Sequence, residues 1–198
     1  WFQGKMEFGP RALGNRSILG DPRDKSMQSK MNLKIKFRES FRPFAPSVLF
    51  ERREDWFNSV APSPYMLTVT LLNSSQCIPA SQAGEKLKGI NRINSVRSTI
   101  PAVTHVNYSA RVQTVHYETN PLYWNLLHKF EDLTGCPLLI NTSFNVRGEP
   151  IVCSPQNALD CFKRSDMDYL VMENVIIDKS RQNFATVDQS WKVKYPLD

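Results

Sequence analysis

Between residues 120 and 145 a helix, a glycine and a buried strand follow one another without a gap, and this sets the kind of fold the chain can adopt. After Asn120-Pro121, the residues Leu122, Leu126, Leu127, Phe130 and Leu133 trace an apolar stripe at helical spacing, and Gly135 closes it as a left-handed cap. The four residues 137–140, PLLI, then form a strand too apolar to face water, and the polar run NTSFN begins at once. A helix that leads directly into a buried strand requires a layer of helix against sheet. The remaining pattern agrees. It predicts a helix over 22–35, with Asp21 as cap and Pro22 at its first position, and extended or looped chain over 41–49. Strands are expected over 65–72 and 169–178, and one bent strand or two short ones over 104–117. A further helix starts at Ser154-Pro155. The expected fold class is α/β (α+β), a sheet with helices packed against it. The polar stretch 80–99 has no periodicity and reads as a long loop, with a lid as the functional alternative. Residues 1–178 read as one domain and 179–198 as a tail.

Of 198 residues, 25 are Lys or Arg and 19 are Asp or Glu, a net charge of +6. Such an excess serves nucleic acid, a membrane surface or phosphorylated ligands. Through the first 53 residues the cations are interleaved with apolar and turn residues rather than massed in a tail. That pattern suits a pocket or one basic face. No apolar run approaches the roughly 18 residues of a membrane span. The four cysteines form no C-x-x-C and the three histidines no H-x-x-x-H, so no protein-built metal site is expected. The thiols read as buried or idle in a reducing compartment, hence a cytoplasmic location. The first residue is Trp1 and no leader follows, which suggests a piece of a longer protein.

Four stretches concentrate chemistry. In KFRESFRPFAPS (36–47), Lys36, Arg38 and Arg42 stand beside two prolines, a stiff basic wall suited to phosphate, the alternative being ordinary surface charge. In SARVQT (109–114), Arg111 and Gln113 share one face if the segment is a strand. In INTSFNVRGEP (140–150), Asn141, Thr142, Ser143 and Asn145 offer uncharged donors and acceptors, which suit a carbamoyl-like group or a simple hydrogen-bonded turn. In EFGPRALGNRSILG (7–20), the glycines, Pro10, Arg11 and Arg16 suggest backbone folded tightly around something anionic. Neither a Walker A motif nor G-x-G-x-x-G is present. The physical expectation is that Lys36, Arg42 and Arg111 converge on one phosphate.

GKMEFGPRALGNRSILGDPR, KIKFRESFRPFAPSVL, THVNYSARVQTV and LLINTSFNVRGEPIV, in that order, resemble successive signatures of the carbamoyltransferase family, which includes nodulation-factor and antibiotic O-carbamoyltransferases. The likeness runs from about residue 2 to about residue 172, all within the family's C-terminal, YrdC-like domain. The resemblance implies a YrdC-like twisted sheet that binds carbamoyl phosphate and ATP, with Mg2+, and makes carbamoyl adenylate. An N-terminal domain of the same protein, absent here and itself the expected home of an iron site, then transfers the carbamoyl group to a hydroxyl. By motif position it implies Arg11 as a nucleotide-phosphate contact and Lys36, Arg42 and Arg111 as catalytic contacts to carbamoyl phosphate. Ser143 and Asn145 are implied as partners of the carbamoyl or adenylate group, with Arg38, Gln113 and Asn141 as further substrate contacts. Lys5 stands where the family commonly has Arg, and Asn107-Tyr108 where it has Asp-Gly. The rival readings are an RNA-binding module, for which no recognisable RNA motif exists, and a nucleotide-binding domain without turnover.

Overall fold

The computed structural model describes residues 1–58, 61–79, 89 and 95–184. Its centre is a five-stranded mixed sheet formed by β1 (Ser17–Gly20), β2 (Ala45–Leu49), β3 (Thr68–Leu71), β4 (Ser109–Val115) and β5 (Leu138–Ser143), in the order β1-β5-β2-β4-β3. β2 and β4 run parallel, and every other neighbouring pair is antiparallel. Among the described residues four helices flank it: α1 (Met27–Lys34), α2 (Arg53–Trp56), α3 (Pro121–Thr134) and α4 (Pro155–Arg164). β6 (Tyr169–Met172) and β7 (Val175–Asp178) pair as a separate hairpin. Phe2 joins the two sheets by bridging Arg16 on one side and Met172 on the other. No helix among the described residues is long and apolar enough to cross a membrane.

Strand alternation divides the core. Ile18, Val48, Val112, Leu138 and Ile140 enter the larger cluster with Phe144 and Phe162. Leu49, Val115 and Leu139 point to the opposite face, where Tyr123 and Leu127 of α3 cover them. α3 forms as its sequence dictates. The Asn120 side chain accepts from the Tyr123 amide at 3.1 Å, Pro121 takes the first turn, and Gly135 ends the helix at φ 72°. Its 14 residues reach over only one end of that sheet face. The other end stays open.

Several expectations shift. α1 begins at Met27, not 22, because the Asp21 carboxylate folds back onto the Arg23 amide and guanidinium at 2.7–2.9 Å and makes a turn there. The stretch 169–178 is a hairpin rather than a single strand, reversing at Glu173, whose φ is 49°. Residues 109–115 form one strand. Segment 45–49, expected to be extended or looped, is a fully buried central strand. It tolerates Pro46 because the parallel ladder with β4 begins only at Ser47. The loop expected over 80–99 lies outside the described residues except at 89 and 95–99, so the lid reading does too. Beyond 178, Phe184 meets the Phe162 ring edge-on at 6.0 Å.

Candidate functional site

The open end of the sheet face is built from three strands that are not consecutive in sequence. Ala45 of β2 lies opposite Asn141 of β5. Ser47 lies opposite Gln113 of β4, so Ala45 is also level with Arg111. Asn141, Ala45 and Arg111 therefore form one row on one face. The middle residue is small, so the row is concave. A cavity of about 150 Å³ sits on it, lined by these three residues, by Arg11, Arg38 and Ser143, and by their neighbours. It lies at the carboxyl end of β5 and the amino ends of β2 and β4.

Loop 10–14 crosses the face between the cavity and α3. Its shape is held from inside. The Glu7 carboxylate Oε1 accepts from the amides of Leu13 and Asn15, both at 2.7 Å, and of Arg16 at 3.4 Å. The tight fold around an anion, expected from the glycines and arginines, thus encloses the chain's own carboxylate. Arg16 does not join Arg11. Its guanidinium is buried over the Phe2 ring at 3.5 Å and donates to the carbonyls of Gln3, Gly4 and Asn15. Glu7 gave no signal beyond being an acidic residue at the head of a glycine-rich loop.

Beneath the loop, three polar side chains form a fixed chain. Gln113 Nε2 donates to the Leu13 carbonyl at 2.8 Å. Its Oε1 accepts from Ser47 Oγ at 2.5 Å and from Asn141 Nδ2 at 2.7 Å. Asn141 Nδ2 also donates to the Ala12 carbonyl at 3.1 Å. Gln113 and Asn141 are 3% and 1% exposed, so nearly all their bonding capacity must be met inside the protein.

Three guanidinium groups line the cavity, from Arg11, Arg38 and Arg111, and no carboxylate among the described residues lines it with them. Burial, reinforced by the nearby Arg11, disfavours the charge on Arg111. Burial and Arg42 act on Arg38 in the same sense, with Glu39 opposing. Arg38 is aimed by Asn32 of α1, whose Oδ1 accepts from Arg38 Nε at 2.6 Å, and its guanidinium lies 5.0 Å from the Phe44 ring centre. Converging cations in a hollow that partly excludes water favour an anionic ligand. A second hollow of about 200 Å³ shares Pro43 with the first and is lined by Phe41, Thr104 and His105 among others.

Of the residues singled out from sequence, Arg11, Arg38, Arg111, Asn141 and Ser143 line the cavity, and Gln113 braces its floor. Arg42 is not brought to it. That side chain is half exposed and pairs with Glu39 at 2.9 Å, so its expected convergence with Arg111 is corrected. Lys36 is not on the lining either. Its ammonium is buried and donates to the Ser143 carbonyl, to Ser143 Oγ at 3.3 Å, and to the carbonyl and Oδ1 of Asn145 at 2.9 and 2.8 Å. Asn145 Oδ1 also accepts from Ser143 Oγ at 2.7 Å. Lys36 and Asn145 therefore shape the end of β5. Ala45, Phe44 and Met66 line the cavity without having been expected to. Apolar side chains carry no chemical signal, and only the folded chain reveals them: Ala45 through strand register, Phe44 and Met66 through the segments that lead into β2 and β3.

Burial, with a smaller push from Arg38, lowers the Lys36 ammonium to about 7 from 10.5. Between those two pH values the unfolded chain holds a proton that the folded chain lacks, so stability rises with pH across that window. Urea denaturation at pH 7 and pH 9.5 should show this gain in the wild type and a smaller gain in Lys36→Met. Identical gains would remove Lys36 as its source.

The departures at 107 and 108 are conservative in geometry. Tyr108 takes φ 62°, the left-handed conformation natural to the glycine that the resemblance leads one to expect there. Asn107 Oδ1 accepts from the Ser109 amide and hydroxyl at 3.3 and 2.7 Å, a turn that an aspartate would close equally well. Elsewhere, Cys136 and Cys161 are buried in the core, which raises their thiols to about 11 and about 12 and keeps them protonated.

The model of the carbamoyltransferase C-terminus family matches residues 1–179. An uncharacterised protein of Synechocystis sp. is 59% identical over 198 residues, which is 100% of this chain and 32% of that protein. Nodulation protein NolO of Bradyrhizobium diazoefficiens is 40% identical over 180 residues, 90% of this chain and 30% of that protein. Nodulation protein NolNO of Sinorhizobium fredii is 41% identical over 182 residues, 90% of this chain and 24% of that protein. The chain spans about a quarter to a third of the length of these curated relatives.

Proposed function

Since the chain belongs to the carbamoyltransferase C-terminus family, we propose that it binds carbamoyl phosphate and ATP and forms carbamoyl adenylate, which another domain of the same protein transfers to a hydroxyl acceptor. The observation that carries this reading is the cavity itself: three guanidinium groups around a hollow of about 150 Å³ with no carboxylate among its described lining residues. That volume suits a phosphoryl or carbamoyl group rather than a whole nucleotide. The adenosine of ATP would extend over the adjoining hollow, where Phe41 and Pro43 offer apolar faces.

The chemistry asks the protein for charge and position rather than for a nucleophile. Water cleaves carbamoyl phosphate to carbamate and inorganic phosphate. A carbamate oxygen then attacks the α-phosphorus of ATP, the bond to the β-phosphate oxygen breaks, and pyrophosphate leaves with the electron pair. Arg11, Arg38 and Arg111 neutralise the phosphoryl oxygens that would otherwise repel one another, and hold both substrates in reach. Magnesium enters as part of the nucleotide complex. These substrates place the reaction in the cytoplasm. Val69 and Leu71 of β3 and Leu67 just before it are exposed, and Val69 lies directly opposite Arg111. This apolar stripe beside the cavity is where a domain that takes up the intermediate would rest.

Incubating the chain with ATP, carbamoyl phosphate and magnesium should release pyrophosphate only when both substrates are present. Intact ATP binding with no pyrophosphate would overturn adenylate formation and leave a nucleotide-binding module. Binding of RNA with a steep salt dependence, and none of either small substrate, would favour the RNA-binding reading.

A further inference from the structure

Of the three arginines that line the cavity, Arg38 stands on the least regular stretch of chain. Arg111 projects from β4, and Arg11 from a loop held by Glu7. Residues 35–44 form neither helix nor strand. An arginine on such a segment has many rotamers to lose before it meets a ligand. One side chain removes that freedom beforehand. Asn32 of α1 is fully buried, and both its amide donors and its oxygen are engaged. Nδ2 donates to the carbonyls of Ser40 at 3.1 Å and Arg42 at 2.8 Å, and Oδ1 accepts from Arg38 Nε at 2.6 Å. The Asn32 backbone carbonyl accepts from the Arg38 amide at 3.0 Å. Turning the side-chain amide over would set its oxygen against two carbonyls, so Oδ1 must face Arg38. The Phe44 ring, 5.0 Å from the guanidinium, restricts its tilt.

We infer that Asn32 is a positioning residue for phosphoryl recognition: by engaging Nε–H it leaves the Nη1–Nη2 edge of Arg38 free to grip two oxygens of one phosphoryl group. Among the described residues those two nitrogens have no hydrogen bond and no ion pair, and Arg38 is only half-buried, so a ligand reaches them. Two parallel N–H groups in a fixed plane match two phosphoryl oxygens. The orienting partner is an amide rather than a carboxylate. It aims the cation without neutralising it, so the whole charge is left for the ligand. Asn32 does not itself line the cavity, so its effect on a ligand must pass through Arg38. This deepens the proposed function and rests on its reading of the cavity as a phosphate site.

Calorimetric titration with inorganic phosphate and carbamoyl phosphate across a double-mutant cycle of Asn32→Leu and Arg38→Ala tests it. Asn32→Leu alone should weaken both ligands about tenfold, the worth of one hydrogen bond to a charged group. In the Arg38→Ala background the same substitution should change affinity by less than about twofold, because the group it positions has gone. A loss of equal size in both backgrounds would mean that Asn32 only supports the fold, which overturns the inference. Arg38→Lys gives a second measurement that does not depend on Asn32→Leu folding. Lysine keeps the charge but cannot bond Asn32 and present a fork at once, so this variant should bind almost as weakly as Arg38→Ala. Binding close to that of the unmodified chain would show that charge alone suffices, and overturns the inference too. If Arg38→Ala binds both ligands as tightly as the unmodified chain, the inference fails with the phosphate site intact. If the unmodified chain binds neither, the reading of the cavity fails and the inference falls with it.

Discussion

Replacing Arg111 by alanine is expected to weaken carbamoyl phosphate binding by about 10- to 150-fold, on the basis of one charge-assisted hydrogen bond worth ~1.5–3 kcal/mol. Arg111 projects from the middle of a seven-residue strand, so its position is set by the sheet rather than by a loop. Its charge is disfavoured by burial and by Arg11. A bound anion removes that penalty as well as making new bonds, so the loss on truncation belongs at the upper end of the range. Folding stability should not fall, because a mutually repelling cation has gone. Arg111→Lys should recover only part of the affinity, since an ammonium lacks the guanidinium fork. Arg42→Ala is the contrast. Its cation is paired with Glu39 outside the cavity, and its loss should change affinity by less than about threefold, as expected for an exposed ion pair. Ala45→Leu keeps every charge but fills the concave row, and should abolish binding while the chain still unfolds cooperatively. Calorimetry on the four variants decides the matter. Equal affinities for the wild type and Arg111→Ala would take Arg111 out of the site, and a larger effect at Arg42 than at Arg111 would relocate it.

Gly14→Ala is expected to cost about 2–4 kcal/mol of stability, combining overpacking of ~1–3 kcal/mol with roughly 1 kcal/mol of backbone strain. A Cβ at this position would stand 2.3 Å from Tyr123 Cδ1 and 2.7 Å from Cγ, inside any real contact distance. The ring cannot retreat, because Tyr123 is completely buried against Leu49, Val115 and Leu139. The backbone at Gly14 also has φ 116°, which side chains rarely adopt. Loop 10–14 carries the Ala12 and Leu13 carbonyls that orient Asn141 and Gln113, so the same substitution should reduce ligand affinity in the fraction that folds. Urea denaturation followed by tryptophan fluorescence measures the first effect. A change within 0.5 kcal/mol of wild type, the range of an innocuous surface substitution, would show that the loop does not pack as described.

Much of this molecule is legible from short stretches, because the forces that write it are short-ranged. Asn120, Pro121 and Gly135 bound α3, and the Leu126-Leu127-Phe130 stripe gives it a buried side, all within one 16-residue window. The Ser154-Pro155 start of α4 is read in the same way and is closed by a reciprocal Ser154–Asn157 cap. Errors arise where a local signal has two outcomes. Asp21-Pro22 can open a helix or a turn, and the Arg23 guanidinium settles it for the turn. YLVMENVIID supports either a long strand or a hairpin, and the positive φ at Glu173 chooses the hairpin.

The sequence by itself determined α3, α4 and the strands β3, β4 and β5, the excess of cations near the amino end, and the motifs from which every polar residue lining the cavity is drawn. It could not say which cations meet. Only the tertiary structure brought Arg11, Arg38 and Arg111 to one hollow, sent Arg42 to Glu39 and closed Lys36 inside a cage of oxygens. The reason is register. Asn141, Ala45 and Arg111 lie in three strands joined by no direct turn, and their shared row depends on how β5, β2 and β4 align. A slip of one residue would turn each side chain to the opposite face. That alignment is enforced by the apolar side chains of the whole sheet together, and no single stretch of the chain contains it.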